Sequence, residues 1–223
     1  MPKTIIFDLG GVILNLDYNA AANAFETAFD IKNFSGRMFS QGSQRTEMDA
    51  FERGQALQTP ALFCDFLRNC SAFDPEERQR LALATEDQIV EAWNSMLFDI
   101  PQSRVDYVKS LRDRGYKVYL LSNINIVHES YVDQIIERDV QGGITFWKSC
   151  FDRIFYSHHI ARRKPDPETF EWVLKEIGCS AAPGDVMFFD DSKQHVDGAA
   201  SVGIKSVLVP REHGLIEVVE PFL

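Results

Sequence analysis

Thr4-Ile5-Ile6-Phe7-Asp8-Leu9-Gly10-Gly11-Val12 is where the fold is decided. Three β-branched residues and a phenylalanine stop at an aspartate and a glycine pair, which reads as a short strand buried on both faces and running into a turn. Such a strand belongs to a parallel sheet covered by helices, so an α/β protein is expected.

From about Asn15 to Asp99 the rhythm changes. Apolar residues recur at helical spacing in Ala20 to Phe29, Pro60 to Leu67 and Gln88 to Leu97, with no alternating strand pattern between them. Asp74 followed by Pro75-Glu76-Glu77 has the form of an N-cap, a proline at the first helical position and acids near the positive helix end. This stretch reads as a helical insertion.

After Pro101, helices alternate with strands. Ser103 to Arg114 is a helix ended by Gly115, and Val118 to Leu121 is a strand that stops at Ser122-Asn123. Asn125 to Arg138 reads as a helix, Arg153 to Tyr156 as a strand, Pro167 to Ile177 as a helix, Val186 to Phe189 as a strand, Ser192 to Val202 as a helix and Ser206 to Val209 as a last strand. Five strands separated by helices imply a doubly wound parallel sheet. The expected division is a Rossmann-like core of residues 1–14 and 100–223 with an α-helical cap of residues 15–99. Gln141-Gly142-Gly143 is expected to be a loose connection.

Composition narrows the function. The 223 residues allow one core with a smaller inserted module. With 23 Lys and Arg against 33 Asp and Glu, the net charge of −10 repels a phosphate backbone, so nucleic acid is excluded as a partner. No apolar run approaches the roughly 20 residues that span a bilayer, and no signal segment follows Met1, so a cytoplasmic protein without a membrane partner is expected. A monomer or a homodimer is equally compatible. Cys64, Cys70, Cys150 and Cys179 lack metal-binding spacing and are expected to be reduced packing residues.

In open α/β sheets, ligands bind beyond the carboxyl ends of the strands. Asp8 follows the first strand, Ser122 and Asn123 the second, Lys164-Pro165-Asp166-Pro167 precedes a helix, and Asp190-Asp191 follows the fourth strand. Singly, each is commonly a turn or a helix cap. Together they converge on one crevice, where three carboxylates repel one another unless a cation intervenes. Hard oxygen ligands facing phosphate suit Mg²⁺. Asp8 can then accept a phosphoryl group as nucleophile, with Lys164 neutralising charge around it.

Phe7-Asp8-Leu9-Gly10-Gly11-Val12, Leu121-Ser122-Asn123, Arg163-Lys164-Pro165 and Phe189-Asp190-Asp191-Ser192 resemble, in this order and over essentially the whole chain, the motifs of the haloacid dehalogenase superfamily. The opening motif, Ser122-Asn123-Ile124-Asn125 and Phe51-Glu52-Arg53-Gly54 are similar to a capped bacterial branch that includes an α-glucose-1-phosphate phosphatase. The resemblance implies a phosphatase for a small-molecule phosphate ester. Asp8 would be its nucleophile, Ser122 and Asn123 its phosphate holders and Lys164 its charge stabiliser. Magnesium would be held by Asp8, the Gly10 carbonyl and Asp191 with Asp190. It also implies a cap that closes over the substrate.

The chain departs from the pattern at Gly10, where most phosphatases of the superfamily carry a second aspartate as general acid and base, a role that contributes typically 10²–10⁴-fold. Another group then moves the proton, with a cap residue, His128 or the substrate itself as candidates. The competing outcome is a slow or inert phosphate-ester-binding regulatory protein. His195, where relatives carry Asn or Asp, is read equally as a tuning residue or as an ordinary helix residue. The resemblance disfavours dehalogenation, because dehalogenases of the superfamily lack the acidic pair retained here as Asp190-Asp191.

For the substrate, the polar stretch Gln44-Arg45-Thr46-Glu47 to Glu52-Arg53 supplies donors and acceptors suited to a hydroxyl-rich leaving group such as a sugar, with Arg45, Glu52 and Arg53 as expected contacts. The alternative is that these three side chains solvate a helix face. His158-His159 and Arg162-Arg163 read as a loop leading to Lys164, because adjacent histidines are expected to point apart.

Overall fold

The computed structural model describes residues 3–39, 43–210 and 214–223. Five parallel strands, β1 (Thr4–Phe7), β2 (Lys117–Ser122), β3 (Arg153–Tyr156), β4 (Val186–Asp190) and β5 (Lys205–Leu208), form one sheet in the order β3-β2-β1-β4-β5. β1 is central, with Ile6 between Tyr119 on one side and Phe188 on the other. Its four residues are all buried, as the unbroken apolar run requires of a strand covered on both faces. The chain order reverses across β1, so the crevice at the switch point opens at its carboxyl end, where Asp8 lies.

Six helices lie between β1 and the next core helix: α1 (Tyr18–Phe29), α2 (Phe34–Phe39), α3 (Ser43–Glu52), α4 (Pro60–Asn69), α5 (Pro75–Leu83) and α6 (Glu86–Asn94). α7 (Gln102–Asp113) leads into β2. α8 (Ile126–Asp139) and α9 (Gly143–Ser149) lead into β3, while α10 (Ser157–Ile160) and α11 (Pro167–Glu176) lead into β4. α12 (Lys193–Ser201) precedes β5, and α13 (Leu215–Val219) closes the chain.

Local chemistry explains the helix ends. Asp74 accepts from the Glu77 N–H while the Glu77 carboxylate accepts from the Asp74 N–H, a reciprocal cap that starts α5 with Pro75 at its first position. Thr85 and Gln88 cap α6 in the same manner. Gly142, in the left-handed region at φ 87°, does not open a loose connection. It turns the chain into α9, where the Glu137 carboxylate accepts from the Ile144 N–H and Trp147 is buried. The glycine pair concealed a helix of about two turns that tertiary burial of Trp147 stabilises.

The inserted helices share an aromatic core. Phe34 stacks on Phe25 with ring centroids 3.8 Å apart and lies 6.0 Å from Phe73 and 6.1 Å from Trp93. Phe63 continues the series to Phe51 at 5.1 Å and Trp93 at 5.0 Å, and Trp93 stacks at 4.8 Å on His128 of α8. The passages into and out of the insertion run side by side: Asn15 N–H donates to Asp99 O, Phe98 N–H to Asn15 O, and Asp17 N–H to Met96 O, at 2.9–3.0 Å. The insertion is thereby tied at its neck and packed against α8, fixing one wall of the crevice above β1.

Phe34→Ala removes the ring common to the Phe25, Phe73 and Trp93 contacts and is expected to lower unfolding stability by about 3–5 kcal/mol. Chemical denaturation read by tryptophan fluorescence checks this, and a loss below about 1 kcal/mol contradicts the packing described.

Candidate active site

Asp8 leaves β1 with its N–H donating to Phe189 O at 2.9 Å, one residue beyond the strand, so its side chain turns into the crevice. Its carboxylate meets Lys164, whose fully buried ammonium lies 2.8 Å from Asp8 Oδ1 and 2.6 Å from Asp190 Oδ2. Lys164 is placed by its main chain. The Asn123 side-chain amide donates to Lys164 O at 2.8 Å and its oxygen accepts from Lys164 N–H at 2.9 Å, and the Thr169 hydroxyl donates to Arg163 O at 2.7 Å. The loop after β2 therefore grips the loop before α11.

Asp190, at the end of β4 and inaccessible to solvent, accepts from Lys164, from the Ser192 N–H at 2.8 Å and from His195 Nδ1 at 3.0 and 3.1 Å. Burial works against its charge, yet the Lys164 ammonium and His195 hold its carboxyl below the usual range. Asp8 behaves oppositely. Burial, then repulsion from Asp190, push it up to about 8, with Lys164 opposing. Burial also works against the Lys164 charge, but Asp190 and Asp8 raise its pKa above the ordinary lysine value. Burial and Lys164 lower that of His195.

Lys164 thus serves both Asp8 and Asp190, while Asp190 and Asp191 both repel charge on Asp8. Asp8, Gly10 and Asp191 all line a cleft of about 820 Å³, together with Ser122 and Asn123. Gly11, at φ 75°, lets the chain pass against Asp191, since a Cβ there would collide with the Asp191 carboxylate. The carboxylates of Asp8 and Asp191 and the Gly10 carbonyl offer an all-oxygen set, which fits a hard divalent cation.

The expected site residues separate into groups. Asp8, Gly10, Ser122, Asn123 and Asp191 line the cleft from the sheet side, and Arg45 and Glu52 line it from α3. Lys164 and Asp190 lie beneath the cleft, both oxygens of Asp190 being engaged by Lys164, His195 and Ser192, so its part is to hold neighbours in place. Two of the expected contact residues have partners within the protein. The Asn123 side chain bonds the Lys164 main chain through both its nitrogen and its oxygen. Arg53 does not line the cleft; its guanidinium pairs with Asp166, close to Lys164. Gln44 of the expected polar stretch lies outside the residues whose side chains are described.

The charges expected to solvate a helix or touch substrate are largely paired. Glu52 Oε2 accepts from Arg163 at 2.7–2.8 Å, and Arg45 Nε lies 3.0 Å from Asp49 Oδ1, which also meets Arg163 at 3.1 Å. Arg163, read from the sequence only as part of the motif and loop leading to Lys164, fastens that loop to α3. His195 emerges as the Asp190 partner. Its position five residues after a strand-end acid, on the first turn of a helix, carried the signal. Asn125 caps α8, accepting from the Val127 and His128 N–H groups. Its amide is 3.3 Å from His128 Nδ1, and burial pushes His128 down to about 4, leaving it neutral.

Because Asp8 titrates near 8 in the fold against an ordinary 3.8, folding favours its protonated form. That contribution is complete below about 4 and is lost as pH rises to about 8. In chelator, Asp8→Asn is expected to remove this decline and to melt higher than the parent chain at pH 8. Melting curves across pH check it, and parallel pH slopes for the two proteins contradict the charge imbalance.

Comparison with known proteins agrees with this geometry. The family model described as "Hydrolase: haloacid dehalogenase-like hydrolase" matches residues 2–203. A D-ribitol-5-phosphate phosphatase of Bacteroides thetaiotaomicron is 26% identical over 92% of this chain and 91% of its own. A phosphorylated carbohydrates phosphatase of Thermotoga maritima is 24% identical over 92% of this chain and 83% of its own. Among solved structures, a HAD family enzyme of B. thetaiotaomicron in complex with magnesium and inorganic phosphate superposes with a TM-score of 0.76 at 29% identity, covering 99% of each chain. The chain belongs to the haloacid dehalogenase-like hydrolases and is an enzyme akin to their phosphatases.

Proposed function

We propose that this hydrolase is a magnesium-dependent phosphatase that cleaves small phosphate monoesters, sugar phosphates foremost, through a phosphoryl group carried on Asp8. The observation that carries the reading is the position of Asp8: at the carboxyl end of the central strand, facing the cleft, and bound to a buried lysine that Asp190 holds from behind. The two named sugar-phosphate phosphatases among the relatives support the substrate class, and the magnesium and phosphate of the solved relative support the ion.

A carboxylate oxygen of Asp8 attacks phosphorus, the bond from phosphorus to the ester oxygen breaks, and the leaving oxygen takes a proton. Water then attacks phosphorus, releasing inorganic phosphate and restoring Asp8. Lys164 stabilises charge that develops on the transferring group, and the Ser122 hydroxyl donates to a phosphoryl oxygen. Magnesium, held by Asp8, Asp191 and the Gly10 carbonyl, would supply electrostatic stabilisation of the phosphoryl oxygens.

Gly10 offers no carboxyl to protonate the leaving group, and neutral His128, with a pKa of about 4, is a weak base. Cleft water and the substrate's own hydroxyls are then the proton sources, which slows esters of poor leaving groups that bring no hydroxyl of their own. A Cβ at position 10 would lie 3.1 Å from Leu16 Cδ2, the tip of a flexible side chain, so an aspartate there is sterically feasible. The insertion, residues 15–99, serves as the cap over a core of 1–14 and 100–223, fastened beside Lys164 through Arg163 and Arg53. The four free thiols are compatible with a reducing, cytoplasmic setting.

Lys164→Met is expected to lower kcat by about 10²–10³-fold on a sugar-phosphate panel, and a chelator is expected to abolish turnover that Mg²⁺ restores. Parent activity no greater than that of Asp8→Asn would instead favour the competing reading, a phosphate-ester-binding regulatory protein. Gly10→Asp is expected to raise kcat selectively for alkyl esters over aryl esters, and a uniform loss on both contradicts the stated proton source.

A further inference from the structure

His158 and His159 do not point apart. On the single turn of α10 both imidazoles face Glu129 of α8, with His158 Nε2 2.7 Å and His159 Nε2 3.0 Å from the same carboxylate oxygen and their ring centroids 4.2 Å apart. A turn this short closes on the residue at its start, and the ring of His158 folds back toward α8, where His158 Nδ1 lies 2.9 Å from Ile124 O.

That last contact fixes the chemistry of the ring. A backbone carbonyl only accepts, so Nδ1 carries the hydrogen, and a neutral His158 then turns the lone pair of Nε2 toward a carboxylate. Two lone-pair donors facing each other require something positive between them. A second proton supplies it in one case, and a metal ion in the other. Three features favour the ion. A second imidazole reaches the same oxygen, making a two-histidine, one-carboxylate set. The Nδ1–H bond to a carbonyl is the orienting contact that metal-bound histidines make. Asp133, one turn along α8, adds negative field, its carboxyl pushed up by burial and by Glu129. The group is screened on one side and open on the other: the His158 side chain is 6% exposed, that of Glu129 17% and that of His159 54%.

We infer that Glu129, His158 and His159 form a second cation site, separate from the Asp8 cluster, that takes a divalent ion of the zinc class. Two nitrogens and one oxygen suit Zn²⁺, Co²⁺ or Ni²⁺, whereas Mg²⁺ prefers oxygen alone. Bonds of about 2.0–2.2 Å set donors of a tetrahedral ion roughly 3.3 Å apart, a spread that small ring rotations provide. The site lies where two loops of the active site are joined. The Ser157 hydroxyl bonds Ile124 N–H and Ile124 O at 2.9 Å, and Ile124 follows the Asn123 that grips Lys164. An ion there ties α8 to α10 and braces both loops.

The test is calorimetric titration of Zn²⁺ into the full chain in excess Mg²⁺, repeated on Glu129→Gln, His159→Ala and His195→Asn, with melting curves for each. One Zn²⁺ per chain is expected, raising the melting temperature, with affinity reduced about tenfold or more in Glu129→Gln and His159→Ala and unchanged in His195→Asn. His159→Ala truncates a half-exposed side chain, so it remains decisive if Glu129→Gln folds poorly. Absence of Zn²⁺ binding to the folded parent chain overturns the assignment. So does binding that survives in His159→Ala and is lost in His195→Asn, which locates the ion at Asp190.

Discussion

A lysine with no solvent contact, shared between Asp8 and Asp190, is the constraint on which the site depends. A buried ammonium is tolerated only where carboxylates satisfy it, and two buried carboxylates are tolerated only where a cation lies between them. The arrangement is asymmetric. Asp190 has three further claims on its oxygens and is ionised firmly, whereas Asp8 has Lys164 alone against burial and two like charges. The less satisfied carboxylate is the one that faces the cleft, where, on the proposed function, an incoming cation and phosphoryl group would complete its surroundings.

The rest of the molecule keeps that triad in register. β1 and β4 are adjacent, so Asp8 and Asp190 follow paired strand residues Phe7 and Phe189, and Asn123 at the end of β2 holds the Lys164 main chain. From the other side, Glu52 and Asp49 of α3 take Arg163, while Arg53 takes Asp166. Lys164 is thus bracketed by residues bound to the insertion. Gly54, at φ 64°, lies against the His158 carbonyl with no room for a Cβ, so the chain just after α3 meets α10 backbone to backbone. Displacement of the insertion is coupled through these contacts to the lysine.

The sheet was legible because its strands are continuous apolar runs ending in polar residues, and the periodicity of β1 or β4 admits little else. That Asp8, Ser122, Lys164 and Asp191 come together at one end of the sheet was legible because each follows or precedes an element whose end is marked in the sequence. What the sequence did not disclose were pairings made across elements. Arg53 looked like a substrate contact because nothing local tells a guanidinium aimed at a cleft from one aimed at Asp166. Asn123 looked like a phosphate holder, and only the crossing of two loops commits its amide to Lys164. His158 and His159 were read by the rule for adjacent side chains on a regular element, and the rule failed because a four-residue turn is not regular. The same limit hid α9, whose stability comes from burying Trp147 and not from helix-forming residues.

The central claim is that the Asp8 carboxylate, left short of positive charge by its surroundings, becomes the carrier of the phosphoryl group. The most direct measurement is rapid acid quench during turnover of a labelled phosphate ester, followed by peptide mapping. The account predicts a phosphoryl label on the peptide that contains Asp8, absent when Asp8 is replaced by Asn. Steady turnover with no label on that peptide, persisting in the Asn variant, contradicts it.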